Sequence, residues 1–68
     1  MENRLRELRE LKNLTQEDIA AMVEVSRQTI ISLEKGKYNP SIFLAYKLSR
    51  IFGLSIEDVF IFNDEDSV

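Results

Sequence analysis

The most restrictive feature of the sequence is a very short gap between two segments with helical periodicity. Apolar residues recur on one face of a segment at about residues 16–23, and on one face of a second segment at about residues 26–35. The gap, Glu24-Val25-Ser26, leaves room only for a sharp corner. Ala20, a small residue midway along the first segment, lets the two backbones approach closely. The pattern therefore predicts two helices that cross at a steep angle.

Three further helices complete the predicted fold. Leucines three residues apart predict a first helix at about residues 2–12. Ser41 is a typical N-cap for a fourth helix that ends at Gly53, and Ser55 is a typical N-cap for a short fifth helix. No segment alternates polar and apolar residues for long enough to indicate a sheet. The sequence therefore predicts an all-α fold of five helices joined by tight turns.

Composition excludes several kinds of chemistry. The chain of 68 residues has no cysteine and no histidine, which excludes a disulfide scaffold, a thiol nucleophile, imidazole catalysis and a Cys/His zinc site. We predict one domain that is not an enzyme, with no metal, no cofactor and no small-molecule effector. No apolar run is long enough to span a membrane or to act as a signal peptide, so we predict a cytoplasmic protein without a membrane partner.

The net charge of -3 hides an asymmetry between the two ends of the chain. Residues 57–68 hold five of the twelve acidic residues and no basic residue, which leaves seven acidic against nine basic residues in 1–56. A mildly basic body is compatible with nucleic acid, and the acidic end masks it in the total. We predict a binding domain at residues 1–60 followed by an acidic C-terminal tail at residues 61–68.

The outer face of the segment 26–35 carries short polar and basic side chains. Arginine can form paired hydrogen bonds with guanine, and glutamine can do so with adenine. Serine and threonine are short enough to let a helix enter the major groove. An ordinary solvated helix face would show the same residue types, so composition alone leaves both interpretations open. The residues concerned are Ser26, Arg27, Gln28, Thr29 and Ser32.

The stretch from Leu14 to Ser41 closely resembles the phage Cro/repressor-like helix-turn-helix family, also called XRE-like. The resemblance covers about residues 3–60. It implies a compact five-helix, lambda-repressor-like domain with its helix-turn-helix at about residues 16–34 and a short extended C-terminal tail. It also implies a sequence-specific transcriptional regulator that binds double-stranded DNA. The flanking motifs that fit are Arg6 to Arg9, Phe52-Gly53-Leu54-Ser55 and Glu57-Asp58-Val59-Phe60.

The resemblance also implies roles for individual residues. In this family the helix that corresponds to residues 26–35 lies in the major groove, where Arg27, Gln28 and Ser32 are expected to read bases. An ion pair between Arg9 and Glu34 is expected to pin the first helix to the end of the third. The residues expected at or near the phosphate backbone are Gln16, Ser26, Thr29, Lys35, Lys37 and Asn39.

One residue departs from the family pattern. Many members have glycine at the corner between the two helices, and this chain has Glu24. A non-glycine residue in a left-handed conformation costs on the order of 1 kcal/mol, which a domain can tolerate. We therefore expect Glu24 to occupy a strained corner without any change of fold.

A dense apolar run follows the last predicted helix and consists of Val59, Phe60, Ile61 and Phe62. This run could fold back over the core of its own domain, or it could run extended against its copy in a second subunit. We favour the second alternative, because a two-fold dimer reads two half-sites about 34 Å apart. The sequence then predicts a homodimer on a palindromic operator. A different class of function is also open: an antitoxin-like or other protein-interaction module that uses the helix-turn-helix as a scaffold.

Overall fold

Five helices account for most of residues 1–62, the part of the chain that the computed structural model describes. The predicted all-α fold is confirmed, and within these residues the only β pairing is one isolated bridge. No helix in this range has the length and apolarity needed to cross a lipid bilayer. The remainder of the predicted acidic tail, residues 63–68, lies outside the described residues. The helices are α1 (Leu5–Leu11), α2 (Gln16–Met22), α3 (Arg27–Glu34), α4 (Ile42–Ile51) and α5 (Ile56–Val59).

Side-chain hydroxyl groups start four of the five helices. In each helix from α2 to α5, the hydroxyl oxygen of the N-cap residue accepts a hydrogen bond from the backbone N–H three residues further on. At the starts of α2 and α5, an aspartate carboxylate also accepts a hydrogen bond from the N-cap backbone N–H and completes a capping box. These signals are local, so the sequence predicts the starts of these helices correctly. The N-cap residues are Thr15, Ser26, Ser41 and Ser55.

The helices α1 to α4 all end in the same kind of turn. The residue after each C-cap has a positive φ, and its N–H and that of the next residue donate back to carbonyl groups of the last helical turn. Glycine occupies this position after α3 and α4, whereas Asn13 (φ 56°) and Glu24 (φ 60°) occupy it after α1 and α2. Asparagine tolerates the left-handed region better than glutamate does. Glu24 is therefore the strained residue at the corner between α2 and α3.

The N-terminal segment, residues 1–4, is not helical. The predicted first helix at 2–12 is wrong at its start, because α1 begins only at Leu5. The preceding residues instead pair antiparallel with the end of the described chain: the backbone N–H of Arg4 donates to the carbonyl of Val59 at 2.8 Å. The N–H of Ile61 donates to the carbonyl of Glu2, also at 2.8 Å. Pairing with a segment more than fifty residues away is a non-local interaction that leaves no helical or capping signal in residues 1–4.

The core explains what happens to the apolar run after α5. Val59 and Phe60 are 0% and 1% exposed and lie among the apolar side chains of the core. The prediction that they dimerise is therefore wrong, because a side chain buried within its own domain cannot reach a second subunit. Ile61 is half-buried and Phe62 remains 56% exposed. The buried apolar residues are Leu5, Leu8, Ile19, Ala20, Val23, Ile30, Leu33, Leu44, Ala45, Leu48, Val59 and Phe60.

We expect Glu24→Gly to stabilise the protein. Glycine adopts positive φ without the steric penalty that a Cβ atom incurs, although it also raises the entropy of the unfolded chain. The two effects together predict a gain of about 0.5–1 kcal/mol in the free energy of unfolding, measured by urea denaturation followed by circular dichroism. Asn13→Gly should gain less, because asparagine already tolerates this conformation. A loss of stability in Glu24→Gly would contradict the strain at the corner.

Candidate nucleic-acid interface

The helix α3 is fixed by its inner face and leaves its outer face at the surface. Ile30 and Leu33 are completely buried, and α3 packs against both α2 and α1. The short corner at Glu24 and Val25 forces α2 and α3 to cross, so one cannot lie alongside the other. The helix therefore stands as a ridge of eight residues, about 12 Å long, along the surface of the domain.

Polar side chains cover the top of this ridge. Arg27 and Gln28 are exposed, and Ile31 and Ser32 are half-buried. Since residues four apart lie above one another on a helix, Arg27 and Ile31 share one flank, and Gln28 and Ser32 share the other. The predicted base-reading residues Arg27, Gln28 and Ser32 thus lie together on the outer side of one helix.

A groove of about 680 Å³ runs along the first flank of α3. Its opposite wall comes from α1, from the turn after α1 and from the first residues of α2. Basic side chains from both walls border it, together with the amide of Gln16. The groove thus brings predicted phosphate-contacting residues beside Arg27, a predicted base-reading residue. The charged and amide residues that line it are Arg6, Arg9, Asn13, Gln16, Glu17, Arg27, Glu34 and Lys35.

A second, shallower depression lies on the other flank of α3. The loop that follows α3 forms its far wall and contributes Lys37 and Tyr38. The α3 side contributes Ser26, Gln28, Thr29 and Ser32. Asn39 lies further along the same loop and is exposed, but it borders neither concave surface. The structure therefore groups every residue predicted to bind DNA, other than Asn39, around α3.

The hydroxyl groups of Ser26 and Thr29 are engaged with each other. Their oxygens lie 3.0 Å apart, and the Ser26 oxygen also accepts the backbone N–H of Thr29 at 3.2 Å. The pair closes the first turn of α3. Ser26 therefore caps α3. A phosphate contact would have to use the hydrogen-bonding capacity of the Ser26 hydroxyl group that the cap does not occupy.

A three-residue polar network holds α1, α2 and α3 together behind the groove. The Nε of Arg9 donates to Oε2 of Glu34 at 2.7 Å, and its Nη2 donates to Oε1 at 3.3 Å. Nε2 of Gln16 donates to the same Oε1 at 3.0 Å. The third donor of the guanidinium, Nη1, reaches the carbonyl of Leu14 at 2.8 Å. The ion pair that the resemblance implies is thus in contact, and Gln16 joins it.

Burial makes this network different from the other ion pairs of the chain. The side chains of Arg9 and Glu34 are 12% and 5% exposed, whereas those of Arg6 and Glu10 are 72% and 57% exposed. A pair that is mostly shielded from water gains from a well-formed two-point contact, because each charge would be costly without the other. The network therefore sets the position of α3 relative to α1 and α2.

Among residues 1–62, three pKa values are shifted, each by a nearby partner. The hydrogen bond from Arg9 to Glu34 raises the pKa of Arg9, against the opposing effect of desolvation. The contact with Glu7 raises the pKa of Arg4. The hydrogen bond from the backbone N–H of Thr15 lowers the pKa of Asp18 at the start of α2. Asp18 therefore stabilises the folded chain while it is ionised, and that contribution is lost as the pH falls through its lowered pKa.

Several residues of this surface were not among the predicted site residues, and three of them are of chemical interest. Arg6 and Ile31 border the groove, and Tyr38 borders the second depression. The apolar Ile31 lies one turn from Arg27, where its side chain could pack on a thymine methyl group. The spacing of Arg27, Ile31 and Lys35 at four-residue intervals was the available signal, because it places all three on one helix flank.

Comparison with known proteins identifies relatives over nearly the whole chain. A sequence profile of the helix-turn-helix family matches residues 5–59. An uncharacterised HTH-type transcriptional regulator of Methanocaldococcus jannaschii is 56% identical over 66 residues, covering 97% of this chain and all of the relative. The HTH-type transcriptional regulator YgzD of Bacillus subtilis is 41% identical over 66 residues, with the same coverage of both chains.

Two solved structures with the same fold are a controller protein and a gene regulator. The restriction-modification controller protein C.AhdI of Aeromonas hydrophila superposes with a TM-score of 0.75 at 33% identity, covering 84% of this chain and 86% of that one. The clp gene regulator ClgR of Corynebacterium glutamicum superposes with a TM-score of 0.73 at 30% identity, covering 79% of this chain and 57% of that one. The fold is therefore shared with a restriction-modification controller protein and with a regulator of the clp gene.

Removing one member of the buried ion pair should destabilise the domain strongly. We expect Glu34→Ala to lower the free energy of unfolding by about 3–5 kcal/mol, because the Arg9 guanidinium stays buried without its counter-charge. The double variant Arg9→Met/Glu34→Leu should lose less than Glu34→Ala, because it leaves no buried charge. Thermal and urea denaturation give both values.

The exposed pair of α1 provides the control for this measurement. Arg6→Ala, which breaks the contact between Arg6 and Glu10, should change the free energy of unfolding by no more than about 0.5 kcal/mol. Equal, small losses in Arg6→Ala and Glu34→Ala would show that burial of the Arg9–Glu34 pair has no energetic consequence.

Proposed function

We propose how this chain, which belongs to the XRE-type helix-turn-helix family, reads DNA. It is a transcriptional regulator with a helix-turn-helix DNA-binding domain. The helix α3 enters the major groove of a palindromic operator, and two copies of the chain bind the two half-sites as a homodimer. The observation that carries the proposal is the outer face of α3, where Arg27, Gln28 and Ser32 lie exposed or half-exposed above a fully buried inner face.

Base reading falls to the side chains at the N-terminal half of α3. The guanidinium of Arg27 can donate two hydrogen bonds to one guanine, and the amide of Gln28 can both donate to and accept from one adenine. Neither side chain takes part in a hydrogen bond or ion pair among the described residues, so both functional groups are available to a ligand. Ser32 and Ile31 lie one turn further along and extend the readout to a second base step.

Phosphate contacts come from both sides of α3. The amide nitrogen of Gln16 has two N–H groups, of which one binds Glu34, so the second can donate to a phosphate oxygen. Arg6 and Lys35 face the same groove, and Lys37 extends from the loop on the opposite side. These contacts fix the register of α3 in the groove without carrying sequence information.

The dimer requires a surface other than the buried part of the apolar run after α5. The outward face of α4 provides one: Ile42, Phe43 and Tyr46 are 72%, 75% and 54% exposed. Together these side chains expose roughly 400 Å² of mostly apolar area, about half of the ~800 Å² that each partner contributes to a standard interface. The guanidinium carbon of Arg50 lies 5.9 Å from the ring centre of Tyr46 and supplies a polar edge. We assign this face to contact with a second copy.

The dimensions of the domain support two half-sites. The chain measures 33 Å along its longest axis, and α4 begins eight residues after α3 ends. Two such domains are large enough to span the ~34 Å that separates half-sites of a palindromic operator. Phe62, which is 56% exposed, remains available as an additional contact.

Loss of the base-reading side chain should relax sequence preference. We expect Arg27→Ala to weaken binding to a duplex selected from a random library by about 1–3 kcal/mol, and to leave binding to a scrambled duplex nearly unchanged. Fluorescence anisotropy at fixed salt measures both affinities. Lys12→Ala, which removes an exposed positive charge at the end of α1, is the charge-matched control. Equal losses on both duplexes would make Arg27 a phosphate contact instead.

Dimerisation is tested independently of DNA by sedimentation. We expect the protein to sediment at about twice its chain mass of 7.9 kDa at high micromolar concentration, and Phe43→Ser/Tyr46→Ser to sediment as a monomer. Leu11→Ser is the matched control, because Leu11 is equally exposed at 72% but lies at the end of α1. A wild-type protein that sediments as a monomer would remove the dimer and favour a different protein as the partner of α4.

A further inference from the structure

Asn3 lies where three parts of the chain meet. Its Nδ2 donates to the carbonyl of Leu33 in the last turn of α3 at 2.8 Å. Its Oδ1 accepts the backbone N–H of Leu5, the first residue of α1, at 3.0 Å. Its backbone forms the isolated antiparallel bridge with Phe60. One half-buried side chain thus connects the start of α1 to the end of the helix that carries the base-reading residues.

Several hydrogen bonds hold the C-terminal end of α3 in place. The carbonyl of Leu33 accepts two hydrogen bonds, one from Asn3 and one from the N–H of Gly36 at 3.0 Å. The carbonyl of Gly36 in turn accepts a hydrogen bond from the backbone nitrogen of Met1 at 2.8 Å. A Cβ atom on Gly36 would lie 3.1 Å from the carbonyl oxygen of Met1, so the close approach also depends on glycine. The N-terminal segment therefore covers the C-terminal end of α3.

The N-terminal segment is itself anchored from its other side. Arg4 and Ile61 donate the two flanking backbone hydrogen bonds of the bridge, to Val59 and Glu2 respectively, both at 2.8 Å. Because Val59 and Phe60 are core residues, these bonds fix residues 2–4 to the body of the domain. Asn3 therefore links the last turn of α3 to the core of the domain, because the segment that carries Asn3 is itself bound to core residues.

We propose that Asn3 is a positioning residue for DNA binding. It holds the C-terminal end of α3 in place, and with it Lys35 and Lys37, which leave that end to meet the phosphate backbone. The proposal rests on the function proposed above, because Lys35 and Lys37 matter only if DNA is the ligand. Arg27 and Gln28 lie at the opposite end of α3, so base reading should depend on Asn3 less than phosphate contact does.

The side chain of Asn3 makes three hydrogen bonds, since its Nδ2 also donates to the carbonyl of Met1 at 3.3 Å. Substitution can separate the bonds that Nδ2 donates from the bond that Oδ1 accepts. Asn3→Asp keeps an oxygen that accepts the N–H of Leu5, but it replaces the donor to Leu33 with a second acceptor. The carboxylate then faces the carbonyl of Leu33, so the contact with α3 is lost while the start of α1 is retained. Asn3→Ala removes all three bonds without adding charge. The two variants together distinguish loss of the α3 contact from loss of the α1 cap and from added charge.

The first experiment tests the structural step without DNA. Backbone amide hydrogen exchange followed by NMR reports on Gly36 and Lys37, whose N–H groups close the end of α3. In Asn3→Asp and Asn3→Ala we expect these two amides to exchange at least tenfold faster than in the wild type. The amides of Ile30 and Ile31, in the middle of α3, should exchange at the wild-type rate relative to global unfolding.

The second experiment measures affinity for a duplex that the wild-type protein has selected from a random library, as a function of salt. We expect both variants to bind about tenfold more weakly and to show a smaller salt dependence, lower by about one unit of slope for each lost phosphate contact. Ser55→Ala is the control, because it removes the cap of α5 and touches no part of α3. At equal folded fraction it should bind within twofold of the wild type.

Three outcomes would overturn the positioning role of Asn3, and a fourth would contradict the proposed function instead. Unchanged exchange at Gly36 and Lys37 in both Asn3 variants overturns the positioning role. Faster exchange with unchanged affinity and salt slope also overturns it, since the end of α3 would then be irrelevant to binding. If Ser55→Ala lowers affinity as much as the Asn3 variants, the effect is general destabilisation and the role is rejected. A wild-type protein that selects no duplex contradicts the proposed function, while the exchange data still test the contact between Asn3 and α3.

Discussion

The structure depends on a single carboxylate that three helices share. The Glu34 side chain, 5% exposed at the end of α3, is bound by Arg9 of α1 and by Gln16 of α2. A buried carboxylate without these donors would be strongly unfavourable, so the folded chain must bring both of them to it. The same contacts fix the angle at which α3 stands on the domain, and the surface that α3 presents follows from that angle.

The net charge of the chain limits the electrostatic attraction between such a surface and DNA. A protein with a net charge of -3 has few spare cations to neutralise phosphates, so we expect its non-specific attraction to DNA to be weak. Correct placement of a few basic residues then matters more than their number. The contacts at the two ends of α3 are the Ser26–Thr29 pair at its start and Asn3 at its end. We propose that they serve that placement.

The sequence predicts the local features of the fold and misses the long-range ones. The helix starts at Thr15, Ser26, Ser41 and Ser55 are marked by residues within one turn. The short gap between α2 and α3 predicts a sharp corner, whereas the left-handed conformation of Glu24 is implied by the family resemblance, because many members have glycine there.

The errors lie where partners are distant in sequence. Residues 1–4 pair with 59–61 instead of extending α1, and Phe60 is buried in its own core instead of facing a partner. The candidate site follows the same rule: the outward residues of α3 follow from helical spacing, whereas the groove requires α3 to pack beside α1, the turn after α1 and the start of α2. The contact between Asn3 and Leu33 spans thirty residues and has no periodic signal.

NMR titration of the ¹⁵N-labelled protein with its selected duplex tests the central claim most directly. The account predicts the largest shift changes at the amides of Arg27, Gln28 and Ser32 and at the side-chain amide of Gln16. Changes confined to α4, or no changes at all, would contradict it.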